Sequence, residues 1–326
     1  MAKANDITSE PTGNTATLVQ IAKLYYLEQR SQQEIADELG VSRSLVALYL
    51  KRAKEQGIVR FTIVDPQDSC EDLSANLREV TGLQHVTVVP SAHNSSVLTR
   101  RSLAGAVARY LEATLKDGDV VGIGWGRTIN EMVSLLAPSN PRKIDVVPLL
   151  GESASSISGE YSQVNQTVMQ FAQAFNGQPH FLLAPLVVGS KELRDSLYED
   201  EAVRRVASFW DRLDYSIMGI GSVPPQNGQI VYIGLEKLAD FEKQGAIGDV
   251  LVRYFDAQGR YIHTELYDRL IGIDLQQLAQ TKHRIALASG IEKTRATVAI
   301  LRSQVCTELF VDEELARAAL AELKST

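Results

Sequence analysis

Short apolar runs alternate with segments of helical periodicity from residue 85 to residue 312, and this alternation constrains the fold more than any other feature. Each run has the length of one buried strand, and amphipathic helices are predicted between them, for example at 97–115 and 161–175. The predicted strands are HVTVVP (85–90), DVVGIG (119–124), IDVVPLL (144–150), FLLAPLVV (181–188), YSIMGIG (215–221), RIALAS (284–289) and ELFVD (308–312). The pattern predicts a doubly wound, mostly parallel α/β sheet with helices on both faces.

Glycines and polar residues follow several of these strands at their carboxyl ends, where doubly wound sheets bind ligands. In VGIGWGRT (121–128) the glycine spacing fits neither a dinucleotide site nor an ATPase loop. Thr128 to Glu131 have the spacing of a capping box, so we expect a helix to begin at Thr128 with its free amides facing the loop. The candidate contacts to an anion or a ring of hydroxyls are Gly124, Gly126, Arg127 and Thr128. The alternative is that Thr128 only caps the helix and Arg127 points to solvent.

Residues that follow three other strands are predicted to lie beside that loop, at the same end of the sheet. Gly151 and Glu152 follow one strand, Gly221 ends another, and Lys293 lies in the first turn of a helix after Gly290. The helix dipole disfavours a lysine at a helix start, so its position favours contact with an anion or a hydroxyl. Each glycine alone is explained by a turn, but together they predict the rim of one cleft.

The amino-terminal segment has the periodicity of three short helices. The first is expected to end near Gln29, with Leu18, Ile21, Ala22, Tyr25 and Tyr26 on its apolar face. Ser31 to Glu34 predict a capping box that opens a second helix, which buries Ile35, Ala36 and Leu39. Gly40 then ends this helix and Ser42 caps a third, from Arg43 to about Gln56. Two short helices around a tight glycine turn are typical of a DNA-binding helix-turn-helix.

The third helix has an apolar face and a basic one. Leu45, Val46, Tyr49, Leu50 and Ala53 are predicted to face inward. On the other side, Arg43 is the candidate for contact with a guanine, Ser44 and Ala47 for close approach, and Leu48 for a thymine methyl. Lys51, Arg52 and Lys54 are placed to contact phosphates, and Gln33 and Ser42 complete the candidate set. The alternative is a three-helix packing module with solvated lysines.

Charge and cysteine content restrict the remaining classes. The net charge of −7 argues against binding to nucleic acid. The segment from Arg43 to Arg60, however, contains five basic residues and one acidic residue, Glu55. Cys70 and Cys306 predict neither a disulfide framework nor a zinc site, and no metal or cofactor is expected. No run is apolar for long enough to span a membrane, so we expect a cytoplasmic protein that contacts no membrane. The expected segments are a tail (1–15), a helix-turn-helix domain (16–64), a linker (65–69) and a large domain (70–326).

Several motifs, in one order, resemble the SorC family of sugar-responsive bacterial transcription regulators. They are QQEIADELGVSRSLVALYLKRAKEQGIV, VGIGWGRT, DVVPLLG, LLAPLVV, GAIGDV with FDAQG, and ASGIEKTRATVAILRS. The resemblance implies an effector domain related to sugar-phosphate isomerases, which binds a sugar, polyol or sugar phosphate, and a homo-oligomer, usually a tetramer, on paired operator sites in double-stranded DNA. It also implies that the effector meets Gly126, Arg127, Thr128, Gly151, Glu152, Asn165, Asp249 and Lys293.

One departure from the family bears on the effector. Where some relatives that bind phosphosugars have a base before a Gly-Gly pair, this chain has Leu150, Gly151 and Glu152. A missing base and an added acid favour a free sugar or polyol over a phosphorylated sugar. The competing hypothesis is an isomerase-like enzyme that carries a DNA-binding domain. The spacing of the histidines, at 85, 93, 180, 263 and 283, indicates no base paired with an acid, so we expect no enzyme activity.

Overall fold

The computed structural model describes residues 15–59, 70–92, 95–138, 140–153, 164–224 and 235–325. The chain divides into two compact units, the amino-terminal unit Met1–Gln67 and the carboxyl-terminal unit Asp68–Thr326. Thr15, the last residue of the expected tail, already begins a helix, and the rest of the tail and the expected linker lie outside the described residues. None of the described helices is long and apolar enough to cross a membrane.

The described part of the amino-terminal unit contains three helices, α1 (Thr15–Tyr26), α2 (Gln32–Leu39) and α3 (Arg43–Glu55). Their buried residues are Leu18, Ile21, Ala22, Leu24, Ile35, Ala36, Val46, Tyr49, Leu50 and Ala53. The predicted apolar faces are therefore confirmed in outline. Tyr25, Tyr26, Leu39 and Leu45 pack against this core only partly buried.

Two boundaries of this unit differ from the expectation. Helix α1 ends at Tyr26 rather than near Gln29, whose φ of 56° is left-handed and cannot continue a helix. The segment IVRFTIV (58–64) alternates like a strand, but only Ile58 and Val59 are described, and neither is in a strand.

Local capping fixes the turn between α2 and α3. The Ser31 hydroxyl accepts from the Glu34 amide at 3.2 Å, and a Glu34 carboxylate oxygen accepts from the Ser31 amide at 2.8 Å. Gly40 ends α2 with a φ of 66°, a conformation that glycine adopts without a Cβ penalty. The Ser42 hydroxyl then accepts from the Leu45 amide at 3.2 Å and caps α3. The predicted capping box, stop and second cap are all confirmed.

The carboxyl-terminal unit is built on a sheet whose seven parallel strands run in the order β1-β10-β9-β5-β2-β3-β4. Their bounds are β1 His85–Val89, β2 Val120–Ile123, β3 Asp145–Pro148, β4 Gln178–Pro179, β5 Tyr215–Ser222, β9 His283–Ala288 and β10 Glu308–Asp312. Neighbouring residues such as Ile217 and Met218 on β5 belong to two separate apolar clusters. Because side chains alternate along a strand, the sheet is covered on both faces, as the alternation predicted.

Ten α-helices are described in this unit. They are α4 Glu71–Thr81, α5 Ser96–Thr114, α6 Arg127–Leu135, α7 Val164–Phe175, α8 Lys191–Glu199, α9 Glu201–Ala207, α10 Leu235–Lys243, α11 Leu275–Gln280, α12 Thr294–Ser303 and α13 Glu313–Lys324. Helices α5, α6 and α7 pack on one face of the sheet, whereas α4, α12 and α13 pack on the other. The helix expected from 161 is described only from Val164.

The predicted strand at 181–188 is wrong. The strand is Gln178–Pro179, and the apolar run after it makes only isolated bridges, Glu152 with Pro185 and Val187 with Leu270. Proline has no amide to donate to a sheet, and the alternate residues of the run are buried without a ladder.

An antiparallel ribbon that the sequence pattern did not predict extends the carboxyl end of β5. It consists of β6 (Gly248–Val250), β7 (Arg253–Phe255) and β8 (Tyr261–Ile262). Its first turn is made by Leu251 and Val252, with φ of 51° and 60°. Tight hairpins usually place Asn-Gly in this conformation, so GDVLVRYF gives no turn signal.

Candidate functional sites

Helix α3 presents the residues predicted to read DNA on the side opposite its core. Arg43, Ser44 and Lys51 are exposed, Leu48 is 40% exposed, and Ala47 is partly buried. Val46 and Tyr49 on the other side anchor the helix in the apolar cluster. The helix therefore has one face available to a major groove and one that holds it in the unit.

Some of the predicted DNA contacts have partners within the protein. The Ser42 hydroxyl caps α3 and lies 3.0 Å from the Ser44 hydroxyl, so its first role is structural. Gln33 donates to Asp37 at 2.8 Å. Lys51 pairs loosely with Glu55 at 3.8 Å, and the Lys54 ammonium lies 5.9 Å from the centre of the Tyr26 ring. Arg52 is partly buried.

In the carboxyl-terminal unit, the loop after β2 leads into a helix whose start has no side-chain cap. Helix α6 begins at Arg127, and its N-cap is Gly126 with a φ of 139°. The predicted capping box at Thr128 is therefore wrong. Glu131 pairs instead with Arg100 at 3.1 Å and with Arg101 at 3.6 Å. Thr128 lies inside the first turn, next to amides that no side chain caps.

The glycines of the candidate site have different reasons to be glycine. A Cβ at Gly124 would meet the Ile217 carbonyl oxygen at 2.9 Å, and one at Gly151 would meet the Pro185 carbonyl oxygen at 2.5 Å. These two glycines allow close backbone packing. A Cβ at Gly126 would meet nothing within 4 Å, so this position is open, and glycine is required there only by its φ.

Opposite charges meet at the carboxyl edge of the sheet beside α6. Asp249 on β6 is 4% exposed, lies opposite Gly221 of β5, and accepts from the Val252 amide at 3.1 Å. Burial raises the pKa of Asp249 to about 7, against the opposing effects of the Val252 amide and the Lys293 charge.

Lys293 completes this group from the 3-10 turn Ile291–Lys293, after β9. Its ammonium donates to the Ile220 carbonyl oxygen at 2.7 Å. Burial lowers the pKa of Lys293, the carboxylates of Glu292 and Asp249 oppose that shift, and the nearby charge of Arg127 adds to it. Lys293 is thus within electrostatic reach of both Arg127 and Asp249, which are distant from it in sequence.

Two of the residues implied by the resemblance are engaged by the protein itself. The Glu152 carboxylate accepts from the Asn165 amide at 2.8 Å and from the Val164 amide at 3.3 Å. The Asn165 side chain donates to the Leu182 carbonyl oxygen and accepts from the Leu182 amide, both at 3.0 Å. In this structure both side chains hold α7 in place.

One buried polar group next to Asp249 was not predicted from the sequence. Tyr254 of β7 is paired across the ribbon with Asp249, and its hydroxyl has no hydrogen-bond partner among the described residues. Asp249 lies two residues before Leu251, and Tyr254 lies two residues after Val252. In a hairpin with a two-residue turn, this spacing makes them a cross-strand pair with both side chains on one face, so the spacing could have predicted the contact.

Among the described residues, two histidines pair with carboxylates, contrary to the expectation from spacing, but both pairs lie at the other end of the parallel strands. His180 contacts Asp145 at 2.6 Å and His283 contacts Glu308 at 2.5 Å. Asp145 and Glu308 are the first residues of β3 and β10. Neither pair can therefore act on a ligand held at the carboxyl ends of the strands.

Both units match known protein families. Residues 65–321 match the family model described as "Putative sugar-binding domain", and residues 23–56 match the model of sigma-70, region 4. The structure is similar to that of the full-length sorbitol operon regulator SorC from Klebsiella pneumoniae, with a TM-score of 0.77 and 26% identity over 95% of this chain and 99% of that one. The chain belongs to the SorC family.

Curated relatives in this family agree on its role. The deoxyribonucleoside regulator of Bacillus subtilis is 31% identical over 309 residues, covering 94% of this chain and 97% of that protein. The transcriptional regulator LsrR of Escherichia coli is 28% identical, covering 93% of this chain and 94% of that protein. The chain is thus a sugar-responsive, DNA-binding transcription regulator and, since these relatives are regulators, not an isomerase-like enzyme.

Proposed function

We propose that a sugar, polyol or sugar phosphate binds at the carboxyl edge of the sheet and controls the expression of a carbohydrate-utilisation operon. The observation that carries this proposal is the uncapped start of α6 beside Lys293, Arg127 and the buried Asp249. Amides without a side-chain cap and two cations favour an anionic or hydroxylated group, and a carboxylate favours hydroxyl donors. The sorbitol operon regulator named among the relatives supports this class of effector.

Each side chain of the site has a distinct part in this proposal. The α6 amides, Thr128 and Lys293 donate to the effector, and Arg127 supplies charge at the rim. Asp249 accepts from a hydroxyl of the effector, opposite Gly221. Gly126 leaves the approach open, whereas Gly124 and Gly151 shape the loops behind it. Asn165 acts on the effector only through α7, and the Glu152 carboxylate occupies the start of that helix.

Contacts with DNA follow the exposed face of α3. Arg43 reads a guanine, Ser44 and Ala47 allow close approach, and Leu48 contacts a thymine methyl. Lys51, Arg52 and Lys54 neutralise phosphates. Ser42 and Gln33 fix the start of α3 and the exposed side of α2.

The two activities are coupled through assembly in this proposal. A homotetramer places pairs of α3 helices on half-sites about 34 Å apart, one helical turn of DNA. The effector favours one arrangement of the subunits over another and so changes the affinity for the operator. Because its target is chromosomal DNA in a bacterium, the protein acts in the cytoplasm.

The test is a panel of sugars, polyols and their phosphates, read by thermal unfolding and then by binding to an operator fragment. A compound that binds the native state raises the unfolding temperature by mass action and changes the affinity for DNA. Lys293→Ala should lose that shift and Thr128→Ala should reduce it, whereas Lys282→Ala, at an exposed lysine outside the site, should keep it. A shift that survives Lys293→Ala would refute the proposed site.

A further inference from the structure

Two helix starts lie side by side at the carboxyl edge of the sheet. The Thr167 hydroxyl of α7 donates to the Asn130 side-chain oxygen of α6 at 3.0 Å. Both residues lie in the first turns of their helices. The amides that begin α6 and α7 are therefore neighbours, and both helix dipoles favour negative charge at the same end.

The two starts differ in what they hold. At α7, the carboxylate of Glu152 already accepts from the amides of Val164 and Asn165. At α6, no described side chain caps the helix, and the cations Arg127 and Lys293 lie nearby, with the acids Asp249, Glu292 and Asp312 around Lys293. The start of α7 is thus filled by an anion of the protein, whereas the start of α6 is open and has Arg127 and Lys293 beside it.

The backbone holds Glu152 in this position. Its amide donates to the Ala184 carbonyl oxygen at 2.8 Å, and its carbonyl oxygen accepts from the Leu186 amide at 2.6 Å. Because the main chain is held on both sides, the carboxylate leaves α7 only by rotation of its side chain. That rotation would give up two charge-assisted hydrogen bonds.

We propose that Glu152 determines specificity by acting as a fixed counter-anion, which restricts the effector to at most one anionic group. That group faces α6, Arg127 and Lys293, and the rest of the effector is uncharged. A second phosphate near α7 would have to displace the carboxylate or lie beside it, and both are unfavourable. The inference rests on the proposed effector site, because it names the charge that this site accepts.

The experiment compares wild type with Glu152→Gln, which keeps the size of the side chain and removes its charge. Glu131→Gln is the matched control, since it removes the same charge from a carboxylate paired with Arg100 and Arg101. Calorimetry measures the dissociation constants of a hexose monophosphate and of the corresponding bisphosphate. Thermal unfolding at constant ionic strength measures the response to inorganic phosphate alone.

We expect wild type to bind the bisphosphate no more tightly than the monophosphate. In Glu152→Gln, the bisphosphate should bind about tenfold more tightly or better, while the monophosphate changes by less than about threefold. The phosphate concentration for half-maximal stabilisation should also fall about tenfold in this variant and stay unchanged in Glu131→Gln. A wild type that prefers the bisphosphate tenfold, or a variant with unchanged responses to bisphosphate and phosphate, would overturn the inference.

The phosphate measurement separates this inference from the proposed function. If no sugar, polyol or sugar phosphate stabilises wild type, the proposed effector class fails. The response of Glu152→Gln to inorganic phosphate still decides the role of Glu152 in that case, because it does not depend on the identity of the effector.

Discussion

The two units of the chain place their polar side chains in opposite ways. Among the described residues of the amino-terminal unit, the buried ones are all apolar apart from the phenol of Tyr49, and the helix starts at Ser31 and Ser42 are capped. The carboxyl-terminal unit buries Asp249, Arg253, Glu308 and Asp312, and it leaves the start of α6 uncapped. The first unit therefore functions through its surface, whereas the second keeps polar groups inside, at a cost that its large core offsets.

The same four-residue pattern makes this difference concrete. Ser31 to Glu34 and Thr128 to Glu131 both have the spacing of a capping box, yet only the first forms one. Glu131 has arginines of α5 within reach, and Gly126 lets the helix begin earlier. A capping box thus forms where its glutamate has no better partner in the tertiary structure.

The largest effect is expected from the buried carboxyl of Asp249. Its pKa is raised to about 7 by burial, so the folded protein holds a proton there that the unfolded chain releases near pH 4. This contribution to stability is fully present below pH 4 and is lost as the pH rises through 7. Between pH 7 and pH 5, wild type should gain about 1.4 kcal/mol per pH unit relative to Asp249→Asn.

Denaturant unfolding of the effector-free protein at several pH values measures this difference. Asp195→Asn is the control, because a hydrogen bond from Lys191 lowers the pKa of Asp195, and its titration lies below this range. Parallel pH profiles for wild type and Asp249→Asn would show that Asp249 stays ionised. Burial in the carboxyl-terminal unit would then not raise the pKa of Asp249.

The next effect is expected on DNA recognition without any change in stability. Arg43 is exposed on α3, so Arg43→Ala should leave the unfolding transition unchanged and cost about 1–3 kcal/mol of discrimination at one base pair. Lys51→Ala should weaken binding to all sequences alike and reduce the salt slope by about one. Binding to operator variants at fixed salt measures both. Equal losses on specific and random DNA for Arg43→Ala would contradict base reading by Arg43.

A smaller effect is expected at the capped helix start. Ser31→Ala removes the hydroxyl that accepts from Glu34, so the amino-terminal unit should lose about 1 kcal/mol of unfolding free energy. Ser31→Asp supplies another acceptor and should restore most of it. Circular dichroism during denaturation measures the change. An unchanged midpoint in Ser31→Ala would mean that water caps α2 equally well.

The sequence predicted most of the fold because its signals are local or periodic. The caps at Ser31 and Ser42 depend on neighbours three residues away. Most strands of the parallel sheet coincide with apolar runs that have the length of a strand. The run at 181–188 is equally apolar but contains Pro185, and it forms isolated bridges in place of a strand of the parallel sheet. The ribbon was missed because its turn is made by Leu251 and Val252, which no turn rule selects.

The sequence predicted which residues form the candidate site better than it predicted what each of them contacts. Strand ends predicted Arg127 and Lys293, and the structure brings Lys293 within electrostatic reach of Arg127 and of Asp249, which came only from the resemblance. The position of Glu152 gave no hint that its carboxylate would accept from the start of α7, twelve residues farther along the chain. Such roles depend on contacts between distant segments, which neither periodicity nor spacing encodes.

A smaller change in stability than at Ser31 is expected at Thr128, and it tests the contrast between the two helix starts directly. Because Thr128 lies inside the first turn and does not cap α6, Thr128→Ala should change the unfolding free energy by less than about 0.5 kcal/mol. Its affinity for the effector should fall about three- to tenfold, the worth of one neutral hydrogen bond, and Thr128→Ser should retain it. Denaturant unfolding and calorimetry measure the two quantities. A loss of about 1 kcal/mol, equal to that of Ser31→Ala, would mean that Thr128 stabilises the helix start after all and that both units use the motif alike.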